Sequence, residues 1–166
     1  MSGSLERRLA RLEAAEEIRQ LKARYAEVCD TGYEPERMVP LFTADAVWDG
    51  GERFGRHEGI DAIYGFFDGV SAQIVWALHY MIAPLIEVAE DGESATGRWY
   101  LLEPCTIVTD DGPRAVLITG TYADRYRREA GDWRFAEVKL DVQTISPLDE
   151  GWVRRPFWND RGLSGK

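Results

Sequence analysis

A chain of 166 residues with 45% hydrophobic and 30% charged side chains is long enough for one domain with a real core. That mixture excludes both a disordered polymer and a membrane span, and a net charge of −9 leaves no basic face for the phosphates of a nucleic acid. Two cysteines, Cys29 and Cys105, make no disulfide framework, and Met1-Ser2-Gly3-Ser4 runs into charged residues without an apolar leader; a reducing cytoplasm is expected, with no membrane association. Six Trp, seven Tyr and six Phe suit a packed core or a pocket for a bulky apolar ligand.

The first predicted element is a helix over residues 4–30, with Ser4 as its N-cap. Ile18, Leu21, Tyr25 and Val28 recur three and four residues apart and form its buried stripe. Leu5, Leu9 and Leu12 precede that stripe and are available to a second subunit. Asp30 closes the helix ahead of the stop signal Thr31-Gly32, at the pole where the helix dipole offers a carboxylate nothing. Facing outward, Asp30 is a solvated acid and Tyr25 an ordinary core aromatic. Facing inward, Asp30 needs a partner, and the histidines available are His57 and His79.

Gly32 to Pro35 predict a turn, Glu36 to Phe42 a short second helix, and Ala44 to Asp49 a brief strand. Gly50-Gly51 turn the chain into a polar loop from Gly55 to Gly59, where His57 is expected to be solvated. Gly59 to Phe67 predict a third helix. Strand patterns follow: Trp76 to Val88, interrupted by Pro84, then Ser94 to Thr109, Ala115 to Arg127 and Trp133 to Ile145. Three helices followed by four long strands imply an antiparallel sheet with helices on one face, an α+β layer arrangement. Residues 1–146 are expected to form the domain. Residues 147–166 form an aromatic tail, carrying Trp152, Phe157 and Trp158, that lies on a cavity mouth or a neighbouring subunit.

Particular phrases recur along this order: Arg24-Tyr25-Ala26 before Asp30, Leu41-Phe42-Thr43-Ala44-Asp45-Ala46-Val47-Trp48, Glu58-Gly59-Ile60-Asp61-Ala62-Ile63, His79, Asp91-Gly92-Glu93-Ser94-Ala95, Gly120-Thr121-Tyr122 and Trp133-Arg134-Phe135. In order and spacing they resemble the SnoaL-like branch of the nuclear transport factor 2-like superfamily, over roughly residues 15 to 142. The resemblance implies a cone-shaped curved sheet wrapped around the long first helix, with a deep apolar cavity. Relatives range from scytalone and bile-acid dehydratases, a dehydrochlorinase and ketosteroid isomerase to non-catalytic transport factors and dioxygenase β subunits, so function rests on the residues. In the dehydratases and the dehydrochlorinase an Asp at the end of the first helix pairs with a His on the first long strand; Asp30 and His79 stand at those places. In the dehydratases a Tyr precedes the Asp by five residues, as Tyr25 does here. The resemblance thus implies His79 as general base, Asp30 as its orienter and Tyr25 as an electrophilic donor.

Glu103 shares strand parity with Ala95, Gly97, Trp99 and Leu101. It is either a second acid raised in pKa by burial, or a solvent residue where Pro104 bends the strand. Trp99, Tyr100, Tyr122 and Lys139 are candidates to line the cavity, although packing in the sheet is the preferred reading for the tyrosines, Tyr126 included. Where dehydratase-type members carry an Arg near the last strand, this chain has Val138, with Lys139 and Asp141 beside it. Neither a metal site nor a phosphate loop is indicated, and no cofactor is expected.

The expected activity is that of a cofactor-independent lyase acting by dehydration on a bulky hydrophobic, aromatic or polycyclic substrate. The alternatives are an isomerase or a retro-aldol carbon–carbon lyase using the same dyad, and a non-catalytic ligand-binding or dioxygenase β-subunit-like protein. An open cavity with Asp30 and His79 in contact would mark the enzyme, and a cavity plugged by aromatic side chains the binding or structural class. Apolar side chains on the outer face of the Leu117, Tyr122 and Trp133 strands predict a homodimer or homotrimer.

Overall fold

The computed structural model describes residues 2–157. Helix α1 (Ser2–Asp30) runs 29 residues. Ser4 lies inside this helix, so it is not the cap. Ala14, Ile18, Leu21, Lys22, Tyr25, Val28 and Cys29 form the buried stripe, while Leu5, Leu9 and Leu12 remain exposed. The helix ends where Tyr33 N–H reaches back to the Val28 carbonyl at 2.9 Å, with Gly32 at φ 108°. The expected second helix is shorter than its apolar pattern: α2 (Pro35–Met38) passes into a 3₁₀ turn at Val39–Leu41, where Pro40 supplies no N–H.

Strand β1 (Phe42–Asp49) and the one-turn helix α3 (Gly51–Phe54) follow. The expected polar loop contains a strand, β2 (Arg56–Glu58), that pairs antiparallel with β1, and α4 (Ile60–Val70) then buries Ile63, Phe67 and Val70. The predicted run from Trp76 to Val88 is two strands, β3 (Ile74–Ala77) and β4 (Tyr80–Val88). The break falls at Leu78 and His79 rather than at Pro84. Both strands pair with β5 (Ser94–Thr109) in one register, Ala77 opposite Cys105 and Tyr80 opposite Leu102. Between those pairs β5 offers Pro104, which has no N–H to donate. Leu78 still bonds the Pro104 carbonyl, but the N–H of His79 turns to Asp30 instead. Pro84 marks an irregularity within β4, next to Ala83 at φ 50°.

Strands β6 (Gly112–Glu129) and β7 (Asp132–Pro147) complete the sheet. The β6–β7 turn has both Ala130 and Gly131 at positive φ, as a two-residue hairpin matching strand twist requires. The order is β2-β1-β7-β6-β5-β3, with β4 also on β5. The sheet is mixed rather than wholly antiparallel, because β1 runs parallel to β7. No hairpin joins those two strands, so nothing local sets their relative direction. The fold is α+β: a curved, unclosed sheet around the buried half of α1. The tail turns back through α5 (Gly151–Arg154), and Phe157 bridges Ile145 while the Arg53 guanidinium sits 4.6 Å from its ring. Trp152 is exposed, and Trp158 lies outside the described residues.

Candidate active site

The inner face of β5 is set by strict alternation, with Ala95, Trp99, Leu101, Glu103, Cys105 and Ile107 inward. Pro104 does not turn Glu103 outward, because its missing N–H coincides with the gap between β3 and β4 and the strand continues through it. Glu103 is 4% exposed. In the shared register it stands directly opposite His79.

His79 is held from three sides. Asp30 Oδ1 accepts both its backbone N–H and its ring Nδ1–H, each at 2.8 Å. The end of α1 and the β3–β4 break are thereby tied together by one carboxylate oxygen. With Nδ1 protonated toward Asp30, the neutral ring carries its lone pair on Nε2, which lies 3.4 Å from Glu103 Oε1. Tyr33 packs its ring edge against the imidazole at 5.9 Å.

Burial acts on these groups in opposite senses. On His79 burial is the largest influence and lowers the pKa, but the Glu103 charge and the bond and charge of Asp30 outweigh it, leaving the imidazole above its ordinary value. Burial raises Glu103, only partly offset by His79, and the Asp30 charge raises it further. An imidazole and a carboxyl group, both inclined to hold a proton, therefore face each other with little room for water.

Tyr25 is fully buried, with its hydroxyl accepting the Trp48 indole N–H at 2.9 Å and its ring in edge contact with Phe42, Phe67, Tyr122 and Phe135. Burial raises its pKa well above the ordinary value, and nearby Tyr122 adds to the rise. Tyr25, Tyr122, His79 and Glu103 border one cavity with Tyr33, Trp48, Phe54 and Phe66. Its volume is about 30 Å³, on the order of a single water. The contacting dyad expected of an enzyme and the aromatic plug expected of a structural protein thus occur together.

Other expected lining residues lie elsewhere. Tyr100 is on the outer face of β5 at 53% exposure, because it has the opposite strand parity to Glu103. Lys139 is likewise outward, between the buried Val138 and Leu140. Trp99 points inward but donates to the Tyr126 hydroxyl at 3.1 Å, away from the cavity. His57 is half-buried rather than freely solvated: it stacks on Phe66 at 4.4 Å and donates from Nε2 to the Phe54 carbonyl at 2.9 Å.

Two polar features escape the sequence reading. Lys22 is completely buried and bonds Asp124 Oδ2 at 2.8 Å, with Nζ 3.5 Å from the Tyr122 ring centre; Tyr126 donates to the same carboxylate oxygen. A sequence signal existed, since Lys22 sits on the stripe of Ile18, Tyr25 and Cys29. Tyr33 carried none, being placed as part of a turn. Larger grooves of about 1130 and 860 Å³ run along α1 beside Arg8 and Arg11, remote from the His79 site. Among the described residues there is no cluster suited to a metal ion and no helix long and apolar enough to cross a membrane.

The profile of the SnoaL-like domain matches residues 10–139. Among solved structures, a candidate aromatic ring hydroxylase from Novosphingobium aromaticivorans is 28% identical with a TM-score of 0.72, over 82% of this chain and 94% of that one. The hexachlorocyclohexane dehydrochlorinase LinA-type3 from Novosphingobium barchaimii LL02 is 22% identical, TM-score 0.72, over 84% and 93%. A candidate scytalone dehydratase from Novosphingobium aromaticivorans is 19% identical, TM-score 0.71, over 93% and 96%. At those two lower identities the likeness is one of fold. No protein of curated function matches the sequence.

Proposed function

This chain belongs to the SnoaL-like domain family, matched over residues 10–139, and from that premise we propose that it is a cofactor-independent lyase. The observation that carries the proposal is His79 held between Asp30 at 2.8 Å and Glu103 at 3.4 Å, within a buried aromatic enclosure. A buried carboxyl group and a second, partly buried one around one imidazole are costly to a fold that needs only packing. As a base beside an acid they have a chemical use.

In an elimination, His79 Nε2 takes a proton from a substrate carbon whose acidity an adjacent carbonyl provides. The freed electron pair forms the double bond as the carbon–oxygen bond breaks. The protonated Glu103 carboxyl gives its proton to the departing hydroxyl, which leaves as water. Proton return from the imidazolium to the Glu103 carboxylate resets the site across the 3.4 Å gap. Asp30 fixes the tautomer and stabilises the imidazolium. Tyr25, already accepting from Trp48, retains its own proton for a carbonyl in which charge develops. The aromatic walls suit a hydrophobic, aromatic or polycyclic hydroxy ketone. The same base serves double-bond migration or retro-aldol cleavage, but the acid opposite it favours elimination.

The cavity of about 30 Å³ supports a second reading, a non-catalytic protein whose interior is filled by Phe54, Phe66 and Trp48. The readings separate on 3-hydroxy-1-tetralone in deuterated water. The lyase reading expects deuterium exchange at the carbon beside the carbonyl, together with water loss giving 1-naphthol, and neither reaction in His79→Ala. Equal behaviour of the parent protein and His79→Ala would favour the non-catalytic reading.

A further inference from the structure

Tyr33 occupies a conformation that a bulky side chain rarely adopts, at φ 60° and directly after the helix terminus. The surrounding structure pins it there: its N–H bonds the Val28 carbonyl, and its ring stacks on Phe67 at 6.4 Å and meets the His79 ring edge-on at 5.9 Å. It is 95% buried by residue area, at 5% exposure, and lines the same cavity as His79 and Glu103. Yet its hydroxyl has no hydrogen-bond partner, and neither does Glu103 Oε1. Strain and an unsatisfied buried donor at one residue both oppose folding. The contrast with Tyr25 is direct, since the Tyr25 hydroxyl already receives the Trp48 N–H.

We propose that the Tyr33 hydroxyl is a catalytic hydrogen-bond donor to the substrate's reacting oxygen, and that it selects substrates carrying a carbonyl or hydroxyl oxygen beside the carbon that His79 deprotonates. This rests on the elimination reading above and adds to it the residue that positions the oxygen. Burial, reinforced by the Glu103 charge, raises the Tyr33 pKa, so the hydroxyl keeps its proton and remains a donor. A substrate oxygen at this place satisfies a hydroxyl that the protein's own groups leave unpaired. An isosteric hydrocarbon leaves it unpaired, and sites built around such a donor discriminate strongly against ligands that lack the acceptor.

The test uses two bicyclic probes of one shape, 1-tetralone with its carbonyl and 1-methylenetetralin without an acceptor, titrated by tryptophan fluorescence. The parent protein should prefer 1-tetralone by about tenfold or more. Tyr33→Phe should remove the preference, while Tyr100→Phe, on the outer face of β5, should keep it. Phe meets the same backbone strain as Tyr, and Tyr33→Phe deletes an unpaired hydroxyl, so its Tm should be unchanged or higher. Four results overturn the proposal: preference retained in Tyr33→Phe, no preference in the parent protein, no binding of either probe, or a Tm lowered by several degrees, which would make the hydroxyl a structural donor. Loss of deuterium exchange in His79→Ala reports on the base separately, so either idea can fail alone.

Discussion

His79 is one imidazole asked to be both fixed and basic, and Asp30 and Glu103 supply the two requirements. Both push its pKa upward against burial. A raised folded value means the protonated ring is favoured at low pH, so base activity is lost as pH falls through a midpoint above the ordinary imidazole value of 6.5. Asp30→Asn should move that midpoint downward, because it removes one of the raising influences, and a pH–rate profile of the pair reads the shift. His79→Ala should cost about 10²- to 10⁴-fold in turnover. Glu103→Gln should slow water loss more than deuterium exchange, since it keeps the base and removes the acid. Equal effects on the two rates would remove Glu103 from the acid role. The contact of Asp30 with His79 was legible through the resemblance to the family, and the burial of Tyr25 through the helical stripe. The Glu103 side was open until the gap at Leu78 and His79 showed how β5 accommodates Pro104, a matter of pairing between distant strands.

Helix α1 serves two polar sites on one face, Asp30 at its end and Lys22 two turns earlier. Burial lowers Lys22 and raises Asp124, each partly restored by the other, so the pair holds together in the core. Lys22→Met strands Asp124 among aromatic rings and should destabilise the protein by about 3–5 kcal/mol in urea melts. Lys22→Met with Asp124→Leu should recover much of that loss. If the single variant were neutral, the pair would hold nothing. Gly97 belongs to the same network: a Cβ there would stand 2.8 Å from the Tyr126 ring, leaving the Tyr126–Asp124 bond no room. The strands β5, β6 and β7 were legible from alternation and turn residues. The short elements α3 and β2 were not, because a one-turn helix and a three-residue strand carry no period. The parallel β1–β7 pairing was hidden for a different reason, since no local turn joins those strands.

Across the whole molecule, apolar exposure concentrates on the outer face of β3, β4 and β5, where Trp76, Tyr80, Ile82, Leu85 and Tyr100 are each 45–54% exposed. This is not the face expected from the sequence: Tyr122 and Trp133 are buried, and β3–β5 carry the patch instead. Contiguous apolar patches on a sheet are covered in most proteins, and we propose a second copy of this chain as the cover, giving a homodimer or homotrimer. Light scattering at micromolar concentration should report the oligomer, and Trp76→Asp with Tyr100→Asp should yield a folded monomer. A monomeric parent protein would refute that assembly. The cavity of about 30 Å³ adds a requirement at the same scale, because a bicyclic substrate fits only if lining side chains move. Gly51, the first residue of α3, at φ 63° and Gly55, just after it, at φ 79° both lie in the left-handed region.

The proposed chemistry requires Asp30 to hold neutral His79 with its proton on Nδ1 and its lone pair on Nε2, facing Glu103. With two histidines in the chain, nitrogen-15 NMR of the imidazoles across pH reads this directly, without a substrate. The His79 signals should show Nδ1–H in the neutral form, with a titration midpoint above 6.5 that falls in Asp30→Asn. A neutral His79 protonated on Nε2, or a midpoint below the ordinary value, would contradict it.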